Sequence, residues 1–241
     1  MKRKVMDDRF FRNDLSNLFF WHLEIAGKKA GGKKNFEDAY REALNFEKES
    51  DWKKFRACID LFEDTEYAII SAFKFQLGYL GNKNFDFGEK NIRLYGILNA
   101  IYLQIYSIIE LSKLLYYSNP KDIKKEFSKL PIYKLRGIAA SHTVNFELGP
   151  ELLADKKNNK ITSFRIVQAH LTKTGERIEA IDENNLFLKF NLLNDLKCYV
   201  DLSSNYLIKI LNHSIEKLVK NEEDRIEFKK RRDDILFKMV D

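Results

Sequence analysis

The sequence predicts a mainly α protein, a helical bundle with a small β-hairpin elaboration in its C-terminal half. Two observations carry that expectation. Apolar residues recur at steps of three and four along most of the chain, the period of a helix with one face buried. Only 10 glycines and 3 prolines are spread over 241 residues, too few for the turns of a sandwich or barrel. With 44% hydrophobic and 32% charged residues the chain has material for a sizeable core and a charged surface. A single domain over 1–241 is expected. It would comprise N-terminal helices (1–50), a bundle core (51–145), a β-hairpin (160–182) and C-terminal helices (188–241).

The elements follow in order. From Asp8 to Ala26, Phe10, Phe11, Leu15, Leu18, Phe19, His22 and Leu23 form one stripe. The run "GKKAGGKKN" then reads as a flexible basic loop. "NFEDAYREALNFEKESD" is a short amphipathic helix, with Asn35 placed as N-cap and Asp38 three residues on. A longer helix runs from Asp51, a second capping candidate, to about Leu80, buried along Phe55, Cys58, Phe62, Ile69 and Ala72. The segment Gly88–Tyr117 carries the most apolar pattern in the chain, from Ile92 through Ile101 and Tyr106 to Leu115, and belongs in the middle of a bundle. "SNPKD" ends it, with Ser118 or Asn119 as the next cap, and a short helix, Lys121–Leu130, leads to Pro131. Proline suits the first turn of the helix that follows. "NFELGPELLADKKNNK" reads as a connection. "ITSFRIVQAHL" and "ERIEAID" flank the turn-like "TKTG" and predict the hairpin. Helix resumes from about Leu188 to Lys220, and the charged run from Asn221 closes the chain as a last helix. No internal repeat is evident.

Composition narrows the function. The formal charge of +6 tolerates a polyanion without marking a nucleic-acid footprint by itself. Cys58 and Cys198 have neither CxxC nor metal-ligand spacing, and read as reduced core thiols of a cytoplasmic protein. "MKRKVMDDRFFRNDL" lacks the apolar stretch of a signal peptide, and no membrane span is expected. The phosphate-binding, dinucleotide, zinc-protease and serine-hydrolase motifs are all missing, so no cofactor or metal is expected. His22, His170 and His213 are isolated from cysteines and from one another. Asp38, Glu42, Glu63, Asp64 and Glu66 sit in patterns of alternating charge and read as solvated faces. The nineteen Phe and eleven Tyr fall on helical stripes among Leu and Ile, which makes them core rather than stacking platforms for bases.

The stretch "LRGIAASHTV" (135–144) stands apart. It holds Arg136 and His142 in an otherwise small, apolar helix. Six residues rotate a helical side chain by roughly 600° and advance it by about 9 Å, so the pair points to adjoining faces. Gly137, Ala139, Ala140 and Ser141 allow another helix or a nucleic-acid backbone to come close. Arginine grips phosphate oxygens with a fork of donors, and histidine exchanges protons near neutral pH. The plain alternative is an ion-paired Arg136 and a His142 at the negative end of a helix.

"RGIAASH" resembles the Arg-x(4–6)-His signature of the HEPN family (higher eukaryotes and prokaryotes nucleotide-binding domains). The layout is similar too, with the signature late in an all-α bundle after a long apolar helix and a short connector. The likeness covers roughly Asp51–Val144. Gly137 stands where the family often has Asn, and Val144 where the toxin branch often has Tyr. The resemblance implies a homodimer that brings two copies of Arg136 and His142 into one cleft. It also implies metal-independent endoribonuclease activity, in a toxin–antitoxin or antiviral defence setting with a regulatory partner. If RNA is the ligand, Lys28, Lys29, Lys33 and Lys34 are candidate phosphate contacts. A non-catalytic HEPN-like RNA-binding or scaffold protein, and an unrelated helical protein-interaction module, stay open as alternatives.

Overall fold

Helices make up most of the computed structural model, which describes residues 12–30, 36–48, 50–78, 85–141, 146–147, 161–162 and 164–237. After a helical segment at 12–17 come α1 (Phe20–Ala30), α2 (Phe36–Leu44), α3 (Asp51–Phe75), α4 (Phe87–Leu114), α5 (Pro120–Ser128) and α6 (Pro131–Ser141). Among the described residues five short strands follow: β1 (Phe146–Glu147), β2 (Ile161–Thr162), β3 (Phe164–Ile166), β4 (Ile178–Asp182) and β5 (Phe187–Phe190). The helices α7 (Leu192–Leu218) and α8 (Glu222–Phe237) close the fold. The mainly α expectation holds. The chain divides into two compact units, one of Met1–Tyr67, Leu103–Lys125 and Asp201–Asp241, the other of Ala68–Tyr102 and Glu126–Val200.

Side chains of flanking residues set the helix starts. Asp86 accepts the Glu89 N–H (2.8 Å) while the Glu89 carboxylate accepts the Asp86 N–H (3.0 Å), a reciprocal capping box that opens α4. Asn119 accepts from Lys121 N–H (3.0 Å), Asn191 from Asn194 N–H (3.1 Å) and Asn221 from Asp224 N–H (3.0 Å), capping α5, α7 and α8. Asp51 accepts the Lys48 N–H at 3.1 Å. Asn35, the N-cap expected for α2, lies outside the described residues. Left-handed residues follow three of the ends, Gln76 (φ 56°) after α3 among them. Asn45 (φ 53°) and Tyr116 (φ 53°) follow α2 and α4, and the N–H groups of Phe46 and Tyr117 reach back to Arg41 O (2.9 Å) and Ser112 O (2.9 Å).

Several expected boundaries move, for physical reasons. The first helix breaks at Leu18–Phe19, where hydrogen bonds shorten to three-residue steps. That tightening turns Leu15, Leu18, Phe19, Trp21 and His22 all inward. At its far end α1 runs through Lys28 and Lys29, which the sequence places in a loop. The alanines favour helix and lysines suit a helix C-terminus, so a lone Gly27 does not stop it. On α4, Ile92 (73% exposed) and Tyr106 (52% exposed) are not core, because the buried face runs through Leu94, Leu98, Ile101, Ile105 and Ile108. Cys58 is buried as expected, but Cys198 is exposed on α7.

In the unit of residues 68–102 and 126–200, the predicted hairpin is the first pair of a three-stranded antiparallel sheet ordered β3–β4–β5. Phe164 pairs with Asp182 and Ile166 with Ala180, while Ile178 pairs with Phe190 and Ile181 with Phe187. The third strand takes residues assigned from sequence to the following helix. "FLKF" pairs with β4, and helix begins only past the Asn191 cap. In the stretch read as a connection, β1 forms and pairs with β2, which holds the first residues of the segment read as the hairpin. The "TKTG" turn closes at Gly175 (φ 66°), whose carbonyl accepts the Leu192 N–H at 2.9 Å. An added Cβ at Gly175 would lie 3.0 Å from Leu192 Cβ. Gly175→Ala is therefore expected to cost about 1–3 kcal/mol, from the left-handed backbone and the crowding. Urea unfolding checks it, and a midpoint equal to that of the parent would rule the strain out.

Candidate functional site

Helix α6 carries Arg136. Pro131 is its first residue, where the missing N–H costs nothing, and Ile132, Leu135, Ile138 and Ala139 form its buried face. Arg136 lies off that face and is half-buried. Its guanidinium carbon sits 3.9 Å from the centroid of the Tyr102 ring, so the arginine is held by a cation–π stack. His142, the next residue after α6, lies outside the described residues, and no Arg136–His142 geometry is described. Of the four candidate lysines, Lys28 is exposed in the last turn of α1, its Nζ 5.7 Å from the Trp21 ring. Lys29 lies in the same turn, and Lys33 and Lys34 are outside the described residues.

In the same unit, α6 packs on β3 and β5. Beside it opens a cavity of about 520 Å³. Ile138 and Ala139 of α6 line it, as do Asn91 and Tyr95 of α4, Arg165 of β3, Ile181 of β4 and Phe187 of β5. The strand register explains the sheet's share. Arg165 lies opposite Ile181, and Ile181 opposite Phe187, so these three side chains share one face. Strand β3 gives its last ladder bond at Val167, whose N–H donates to Glu179 O (2.8 Å). The chain then turns through one 3-10 turn, Gln168–His170, which brings His170 to the cavity.

Glu179 lies two residues before Ile181 on that sheet face, with its side chain 2% exposed. One of its oxygens accepts from Nδ1 of His170, and the other from Nε of Arg177 at 2.6 Å. Burial works against its charge, but the hydrogen bonds from Arg177 and His170, with their charges, prevail and hold the carboxyl below its ordinary range. Glu179 therefore stays ionised and fixes the imidazole with Nδ1–H inward and Nε2 outward. Sequence reading passed over this group because its members are nine residues apart in the chain. The one local signal is an acidic residue between two apolar positions of a buried strand, Ile178 and Ala180.

One further expectation changes. Glu66, read as part of a solvated face, is 1% exposed. In the other unit its carboxylate accepts from Arg12 Nη2 (2.8 Å) and from Gln104 Nε2 (2.9 Å). His22 is buried there too, 2.8 Å from Ser214 Oγ. Among the described residues, no group of three His, Cys, Asp or Glu is gathered as metal ligands. One described helix, α4, is long and apolar enough to cross a membrane by length and composition, with 56% of its most apolar window buried inside the fold. Comparison with family models, curated proteins and solved structures gives no match in any of the three.

Proposed function

We propose that the protein is a metal-independent endoribonuclease of HEPN type, a homodimer in which Arg136 and His142 act on RNA. The observation that supports the reading is the setting of Arg136. It lies on a short helix that follows a long apolar helix and a short connector, and its guanidinium is stacked on Tyr102. Stacking fixes the guanidinium plane while its edge donors stay available to a phosphate. In the reaction the RNA 2′-oxygen attacks phosphorus as its proton passes to a base. The bond from phosphorus to the 5′-oxygen breaks, and that oxygen takes a proton. The products are a 2′,3′-cyclic phosphate and a 5′-hydroxyl. His142 exchanges protons and Arg136 steadies the charge on phosphorus. Lys28, Lys29, Lys33 and Lys34 would hold the strand. A toxin–antitoxin or antiviral role, with a partner restraining the activity, belongs to the same proposal.

A second reading, an RNA-binding or scaffold protein without cleavage, rests on the same stack. Contact with Tyr102 explains Arg136 as a packed residue with no catalysis required. The test is cleavage of single-stranded RNA in EDTA. The parent is expected to cleave, and Arg136→Ala and His142→Ala are each expected to lose at least about 100-fold in rate at unchanged melting temperature. RNA binding without cleavage gives the second reading. Neither binding nor cleavage returns the chain to a helical interaction module. A strictly monomeric mass by light scattering would remove the composite site.

A further inference from the structure

The cavity beside α6 has the parts of a ligand site that RNA cleavage by Arg136 and His142 does not use. Its volume of about 520 Å³ is that of a small-molecule pocket, and its walls are apolar with a few polar groups, the usual make-up of such sites. One of the polar groups, His170, is held by a buried charge. Glu179 is 2% exposed, whereas its two partners, His170 and Arg177, are 44% and 59% exposed. A carboxylate in a buried strand adds little stability over an apolar residue of its size, because desolvation offsets the attraction. What Glu179 does secure is orientation. With Nδ1 of His170 tied down, the ring turns its other edge outward, and among the described residues Nε2 has no hydrogen-bond partner. An anchored ring loses less freedom when a ligand arrives.

The charge pattern selects the ligand. Arg165 and His170 line the cavity, Lys189, the strand partner of Glu179, shares the sheet face of Ile181 and Phe187, and Arg177 is paired with Glu179. The carboxylate among them is already paired. The field that remains is cationic and favours an anion. The fork of Arg165 donates to phosphate oxygens, and Nε2 of His170, opposite the Nδ1–H held by Glu179, accepts the O–H of a phosphate monoanion; together they suit the several oxygens of a phosphate better than one carboxylate. Tyr95 and Phe187 line the same space, Phe187 being 46% exposed, and supply aromatic surface for a flat ring.

We propose that this cavity binds a phosphate monoester carried on a flat, ring-bearing body, with the phosphate on Arg165 and Nε2 of His170 and the ring against Tyr95 and Phe187. The source is either a free small molecule or the phosphorylated end of a nucleic-acid strand. The test is calorimetric titration of the full chain with phenyl phosphate and adenosine 5′-monophosphate, with benzoate and adenosine as controls. Both phosphates are expected to bind, and both controls to bind at least about 10-fold more weakly. Arg165→Ala and His170→Gln are each expected to weaken phosphate binding by at least about 10-fold, with the melting temperature retained because both side chains are exposed. Displacement of phenyl phosphate by a 5′-phosphorylated RNA, but not by its 5′-hydroxyl form, supports the site and assigns it to strand ends. Failure of both RNAs to displace it supports the site and assigns it to a small molecule. No binding of either phosphate at millimolar concentration overturns the proposal, as does binding unchanged in both variants or equal binding of the controls. The readout is binding rather than cleavage, so a chain that binds phenyl phosphate and never cuts RNA loses only the nuclease reading.

Discussion

Arg12→Met is expected to destabilise the protein by about 3–5 kcal/mol, the usual loss when one partner of a buried ion pair is removed and the other stays charged. Both side chains of the pair, Arg12 and Glu66, are 1% exposed and meet at 2.8 Å. Gln104 locks the geometry. Its Oε1 accepts from Arg12, while its Nε2 donates to Glu66 (2.9 Å) and to Phe62 O (3.3 Å). The Arg12 guanidinium also lies 5.2 Å from the Phe62 ring centroid, so an aromatic ring adds to the attraction on the buried cation. Methionine keeps the stem but leaves the carboxylate of Glu66 without its cation. The double variant Arg12→Met, Glu66→Leu removes both charges and is expected to recover most of the loss, since an apolar pair of similar volume can match a buried salt bridge. Urea unfolding of the two single variants and the double variant gives the coupling energy. Single variants within about 1 kcal/mol of the parent would mean the pair is not the closed, dry contact described.

The reach of sequence reading is clear from such residues. Helical periodicity located α3 and α4 and most of their buried residues, because burial of one face repeats every turn and leaves a local pattern, though on α4 it took in the outward-facing Ile92 and Tyr106. It missed Glu66 for a related reason. An acidic residue in a helix of mixed charge looks solvated until a partner fifty-four residues earlier is folded onto it. The hairpin was legible from β-branched residues around "TKTG", whereas β5 was not. "FLKF" fits strand and helix alike, and only pairing with β4 decides. In the candidate site, Arg136 stood out through its chemistry within a small, apolar run. Its contact with Tyr102 did not, since that residue lies thirty-four positions away on another helix. Arg165, His170 and Glu179 became a group only through strand register and one 3-10 turn, which no spacing in the chain records.

Acid is expected to weaken the protein through His22. The ring is 3% exposed, with its centroid 4.8 Å from that of Phe228. Ser214 Oγ donates its single hydrogen to Leu211 O at 2.8 Å, so it accepts from Nε2–H of His22, which sets the tautomer of the neutral imidazole. Burial pushes the pKa of His22 down from 6.5 to about 3. The folded pKa is therefore below the unfolded one. Above 6.5 neither state holds the proton and nothing is lost. Between 6.5 and about 3 the unfolded chain takes a proton that the folded one refuses, and stability drops by about 1.4 kcal/mol per pH unit. Below about 3 both states are protonated and this contribution levels off. From pH 7 to pH 5 the loss from this one group is about 2 kcal/mol. Carboxylates also titrate toward the acid end of that range, so the comparison is with His22→Gln. Glutamine keeps an N–H for Ser214 and does not titrate. The variant starts less stable at pH 7, through poorer packing on Phe228, but its unfolding free energy should fall about 2 kcal/mol less than that of the parent by pH 5. Parallel curves for the two proteins would show that His22 takes up its proton in the folded state, and that the ring is more open to water than its contacts with Ser214 and Phe228 allow.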